Sequence, residues 1–98
     1  MEEIICSANW YKDLPTPAHR PKNIDQGIVF AGLGHVHCLH QMVAMTGLKQ
    51  HEVNEIQGFL TNKNRFVDRE EAAKIALAAQ QIDHLEYSKT KLFSEDLF

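Results

Sequence analysis

Charge of one sign, cysteine and long apolar runs are all scarce in this chain. Its 98 residues carry 13 acidic against 10 basic side chains, a net −3 at pH 7. That balance argues against the basic face of a general DNA or RNA binder and against a polybasic membrane patch. The longest apolar stretch, Gly27 to Leu33, falls far short of the ~20 residues that span a bilayer. The opening MEEIICSANW has no basic n-region and no long apolar core, so it does not read as a signal peptide. Cys6 and Cys38 make no disulfide framework, and the expected compartment is the reduced cytoplasm. No internal repeat and no low-complexity run is present.

What is present suffices for one core. Hydrophobic residues make up 44% of the chain, too many for a disordered tail, and the length fits one domain over 1–98. A domain of this size buries only roughly 60–65% of its unfolded surface, so oligomerisation would help it.

Met1 to Tyr11 reads as a strand, with Ile4-Ile5-Cys6-Ser7-Ala8 ending in Trp10-Tyr11. Lys12 to Gln26 holds all three prolines and no apolar period, which predicts a long ordered or semi-ordered loop of the kind that often binds. Gly27 to Ala31 reads as a buried strand because its apolar run is continuous. A helix over about His35 to Thr46 is stopped by Gly47. Val36, Leu39 and Val43 form one apolar stripe on it, and Cys38, Met42 and Met45 a second. Such a helix is expected to be sandwiched, by a sheet on one side and another body, for instance a second subunit, on the other. A strand around Ile56 to Leu60, a turn at Asn62-Lys63-Asn64 and a return at Arg65-Phe66-Val67 suggest a hairpin. Asp68 as N-cap with Glu71 three residues on is a capping box, opening a helix to about residue 82. The acidic Ser94 to Phe98 is expected to turn or to dock on a partner. The fold class is therefore α+β: an antiparallel or mixed sheet with two main helices, about 35–46 and 68–82, in an oligomer.

Three constellations bear on chemistry. Gly32-Leu33-Gly34 between strand and helix lets backbone amides face an anion, half of a phosphate site; a tight strand-to-helix turn explains it equally well. The full dinucleotide fingerprint is missing, since His37 occupies the third glycine position. His35, His37, Cys38 and His40 crowd six residues, yet no zinc-like spacing appears, and no metal is expected. These histidines suit donation to phosphate, stacking on a base, or, for His40, a plain core or surface place. In Gly58 to Arg69, Asn62, Asn64, Arg65 and Arg69 accompany Phe59 and Phe66, and two of the chain's three arginines lie here. Arginine grips phosphate bidentately and an aromatic stacks on a purine. Surface pairing of Arg65 and Arg69 with Asp68 or Glu70 is the plain alternative; Phe66 and Val67 read as core, while Phe59 reads either way. No catalytic set emerges: Ser7 has no nucleophile elbow, and Cys6 sits in an apolar strand.

IICSANWYKDLP, GIVFAGLGHVHC, GFLTNKNRFVDREEAAKIA and LFSEDLF resemble small phage-encoded proteins, best the Thoeris anti-defence family called Tad-one, over nearly the whole chain. The resemblance implies a sponge that binds a cyclic ADP-ribose isomer (glycocyclic ADP-ribose) without cleaving it and needs no cofactor. It further implies a homo-oligomer with ligand sites at subunit interfaces, and in some members a separate site for cyclic oligonucleotides. Carried over by motif, Phe59 would stack on the ligand, with Arg65 and Asp68-Arg69 shaping the same pocket. Where a basic residue is expected after the loop glycine, this chain reads Gly34-His35, leaving His35 as the substitute. The expected ligand-binding set is Phe59, Asn62, Asn64, Arg65, Arg69, Gly34, His35 and Arg20. Two other classes compete: a nucleotide-degrading enzyme using His35, His37 and His40, and a host-protein interaction module using Ser94 to Phe98.

Overall fold

A computed structural model describes residues 1–98. Strands β1 (Ile4–Tyr11), β2 (Ile28–Gly32), β3 (Glu55–Thr61) and β4 (Phe66–Asp68) form one antiparallel sheet in the order β2-β1-β3-β4. Besides helices α1 (His35–Thr46) and α2 (Arg69–Ala78), the chain forms a 3-10 turn at Gln50–Glu52 before β3 and a four-residue helix α3 (Ser94–Leu97) after α2. The α+β class with two main helices is what the residue pattern predicts.

Alternation along the strands sorts the side chains. Ser7, Asn9 and Tyr11 of β1 lie opposite Phe59, Gln57 and Glu55 of β3, and this face lies under the helices. A register shift between Ile4 and Cys6 turns Ile4 onto the same face, where it joins Phe59, Val67, Ala72, Ala73, Ala76 and Leu92 in the main core. The alanines of α2 let that helix approach the sheet closely.

The other face holds Ala8, Ile24 and Phe66, with Trp10, Val29, Ile56 and Leu60 half-buried around them. Ile24 comes from the proline-rich loop, which is ordered by side chains that take over strand hydrogen bonds. Asn23 Nδ2 donates to Phe66 O at 2.7 Å, and its Oδ1 accepts from Phe66 N at 2.8 Å, so one side chain closes the outer edge of β4.

Two helix expectations are corrected. The second helix ends at Ala78, not near 82, because Gln80 adopts a left-handed φ of 59°. Gln80 N then donates to Leu77 O and Gln81 N to Ala76 O, the bond pair that satisfies the last carbonyls of a helix. The capping box is half made: Asp68 accepts from Glu71 N at 2.8 Å, while the Glu71 carboxylate turns to Arg65 instead.

On α1 the buried stripe is His35, Cys38 and Met42. Val36 and Val43 of the other stripe face solvent in the single chain. No Asp, Glu, Lys or Arg occurs from Gly27 through Leu48, so histidines are the only ionisable side chains besides Cys38 that β2 and α1 carry. No helix is long and apolar enough to cross a membrane.

Candidate functional site

The strand-to-helix turn sets the site. Gly34 is the N-cap of α1 in an extended conformation, and its amide donates to His37 Nδ1 at 3.1 Å. His35 turns inward and is only 8% exposed. Its Nε2 lies 2.8 Å from Gly58 O, its carbonyl accepts from Asn9 Nδ2 at 3.1 Å, and its ring meets Phe59 edge-on at 5.1 Å. Burial holds the His35 pKa below its ordinary value, and the nearby Arg69 charge pushes the same way.

Arg69, the first residue of α2, reaches back toward that histidine. One terminal nitrogen donates to Leu92 O at 2.9 Å; the other donates to Gln57 Oε1 at 2.6 Å and lies 3.4 Å from His35 Nδ1. The guanidinium sits 4.6 Å over the ring of Phe93. Behind it, Gln57 Nε2 donates to Glu55 Oε2 at 3.0 Å, and the Tyr11 hydroxyl donates to Glu55 Oε1 at 2.6 Å. Burial and then Glu55 push the Tyr11 pKa upward, so its proton stays. Asn9 Oδ1 is buried among these groups with no hydrogen-bond partner.

Arg69 faces a cavity of about 410 Å³ lined by Leu33, Gly34, His35, Val36, His37, Phe93, Ser94, Glu95 and Phe98. A second space of about 220 Å³, lined by Gln57, Asp68, Glu70 and Lys91, also borders this side chain. Two residues of the helix-end glycine loop, the Arg69 cation, the Glu95 carboxylate and two aromatic rings thus share one opening. That combination suits an anionic ligand carrying a flat ring.

Of the expected ligand residues, the structure brings together Gly34, His35 and Arg69 at this cavity. Phe59 lies in the core at 0% exposure, behind His35. Arg65 is held elsewhere: its Nε and one terminal nitrogen each donate to Glu2 at 2.9 Å, and that same nitrogen also reaches Glu71 at 3.1 Å. Asn62 accepts from Glu3 N at 2.8 Å, and Asn64 shapes the β3–β4 turn with a φ of 58°. Arg20 donates to Ile24 O at 2.7 Å and Pro17 O at 3.1 Å, bracing the proline-rich loop. The histidines disperse: His35 is buried, while His37 and His40 are exposed, and no three His, Cys, Asp or Glu side chains gather as metal ligands would. The closing Ser94 to Phe98 folds onto its own chain, with Ser94 buried and Leu97 packed against the main core, while Phe93 just before it lies under Arg69.

Sequence reasoning passed over Gln57, Phe93 and Glu95. Gln57 carried a signal, because Glu55, Gln57 and Phe59 alternate on one strand face and a polar residue there must find a partner inside.

The Glu2–Arg65 pair sets an acid limit. Hydrogen bonds from Arg65 and Thr61 hold the Glu2 carboxyl at about 2, against 4.5 in an unfolded chain. A carboxylate whose pKa is depressed by folding stabilises the fold above its unfolded value and loses that contribution as pH falls from 4.5 toward 2. Thermal melts across that range should therefore fall less steeply for Glu2→Gln than for the parent; identical slopes would assign the acid loss to other groups.

A family model described as Phage T4 y16D protein matches residues 3–98. No curated protein and no solved structure matches the chain.

Proposed function

From the premise that the chain belongs to the phage T4 y16D protein family, we propose that it is an anti-defence binding protein. It takes up an intact cyclic ADP-ribose isomer and so withholds the signal from a Thoeris effector in the host cytoplasm. The observation that carries this reading is Arg69, fixed by Gln57, His35, Leu92 and Phe93 at the mouth of the 410 Å³ cavity beside the start of α1. Such a cation is pre-organised for a phosphate, and the Phe93 and Phe98 rings at the same opening suit a nucleobase.

The arithmetic of sequestration favours a second wall. Nanomolar binding needs about −12 kcal/mol. A ligand of about 35 heavy atoms at roughly 0.3 kcal/mol per atom reaches about −11, so nearly every atom must be touched. Leu33 and Val36 line the cavity yet are 62% and 53% exposed, and they lead into the uncharged α1 stripe. A second copy seated there completes the site, which makes the working form a homo-oligomer.

Binding without turnover is supported by the state of the nucleophile and base candidates. Burial pushes the Cys38 thiol up to about 11, leaving little thiolate. His35 spends both ring nitrogens on Gly58 and Arg69.

The purified protein is incubated with glycocyclic ADP-ribose, and the filtrate and then the heat-released fraction are assayed chromatographically. The ligand should leave the filtrate and return unchanged on heating. Cleaved product would make the protein an enzyme, and ligand remaining in the filtrate would reject the ligand assignment.

A further inference from the structure

The His35 ring has only one arrangement of protons that satisfies its neighbours. The Gly58 carbonyl 2.8 Å from Nε2 can only accept, so Nε2 carries the hydrogen and Nδ1 presents a lone pair. That lone pair faces a terminal nitrogen of Arg69 at 3.4 Å. The same nitrogen donates to Gln57 Oε1 at 2.6 Å, and Gln57 is itself oriented by Glu55 at 3.0 Å. Each neighbour of the guanidinium on this side is thus an acceptor whose direction is set by something else.

We propose that His35 and Gln57 are positioning residues, which aim the Arg69 guanidinium into the cavity and hold it there only while His35 Nδ1 is unprotonated. The inference rests on that cavity being the ligand site proposed above. A proton on Nδ1 would replace an acceptor by a donor and set two cations face to face, which turns Arg69 away. The charged groups around the ring are Arg69 from α2, Glu55 from β3 and Glu95 from α3; the carboxylates favour the proton, while Arg69 opposes it. Tyr11 from β1 and Cys38 from α1 are kept neutral by burial. With desolvation the largest influence, the ring stays neutral through the physiological range and gains its proton below 6.5.

The test begins with the unliganded full chain. Imidazole and guanidinium nitrogen NMR is followed from pH 7.5 to 5, with wild type and Gln57→Ala in parallel. The His35 ring should show the Nε2-protonated tautomer, and the Arg69 side-chain signals should move with the His35 midpoint. Arg69 signals that ignore that midpoint, or a ring protonated at Nδ1 at neutral pH, would overturn the inference whatever the ligand. Affinity for glycocyclic ADP-ribose is then measured over the same range by equilibrium dialysis. It should be flat above 6.5 and fall along the His35 midpoint, with Gln57→Ala about tenfold weaker at pH 7.5. A pH-independent affinity, or a Gln57→Ala protein that binds like wild type, would refute positioning. Wild type that shows the NMR coupling and binds no glycocyclic ADP-ribose would overturn the ligand reading alone.

Discussion

Arg69→Ala should weaken binding of glycocyclic ADP-ribose by about thirtyfold or more, because truncating a desolvated, hydrogen-bonded charge typically costs 2–5 kcal/mol. The side chain is half-buried and already oriented by Gln57, Leu92 and His35, so little ordering is left for the ligand to drive. Arg69→Lys keeps the charge but loses the planar fork and its seat on Phe93, and should recover little of the affinity. Arg65→Ala provides the contrast. It breaks the bonds to Glu2 and Glu71 but leaves the cavity at α1 unaltered, so affinity should stay within about threefold. Isothermal titration of the three variants decides between the two ends of the molecule. A loss confined to Arg65→Ala would move the site to the β3–β4 turn, where Asn62 and Asn64 lie.

Phe59→Ala should cost about 3–5 kcal/mol of folding free energy, the usual penalty for removing an enclosed aromatic ring. The ring is fully buried in the cluster of Ile4, Val67, Ala72, Ala73, Ala76 and Leu92, and it supports the His35 imidazole edge-on. Domains of this size have about 5–15 kcal/mol in total, so urea unfolding followed by circular dichroism should show a midpoint greatly lowered. Collapse of ligand affinity with a stability loss under about 1 kcal/mol would contradict a core role. Phe59 would then hold the stacking position that the family resemblance implies.

The layout of the fold was legible because its signals are local. The apolar run at β2, the left-handed stop at Gly47 and the Asp68 N-cap each act within a few residues, although that run makes a half-buried edge strand and not the buried strand its continuity predicts. The early end of α2 was not, since a glutamine at position 80 gives no warning of a positive φ. Gly58 was equally silent. A Cβ there would lie 2.2 Å from Val67 O and 2.6 Å from the tip of Phe66, so the residue is dictated by how closely β4 approaches, which no local pattern records. The site was half legible. Gly34 and His35 stood out in the glycine loop and Arg69 in a separate cluster with Arg65, and the fold joins the two. Arg65 carries the same chemistry, yet Glu2, separated from it by 63 residues, is what engages it. Gln57 and Phe93 matter only through Arg69, and a partner relation of that kind is invisible until the strands pair.

The strand order has a consequence for how the chain is made. β1 lies between β2 and β3, and its pairing with β3 joins Tyr11 to Glu55 and Ile4 to Thr61. On the ribosome, β1 leaves the tunnel before either neighbour, and the edge that pairs with β3 stays open while the chain from Tyr11 to Glu55 is made. Ile4 also binds Gln81 through both its amide and its carbonyl, so the last ties on this strand are made later still. Loops this long must close before any contact rewards them, which slows folding and leaves the nascent segment open to mispairing. A chaperone that shields nascent apolar strands should therefore raise the yield of this protein more than its size alone would suggest.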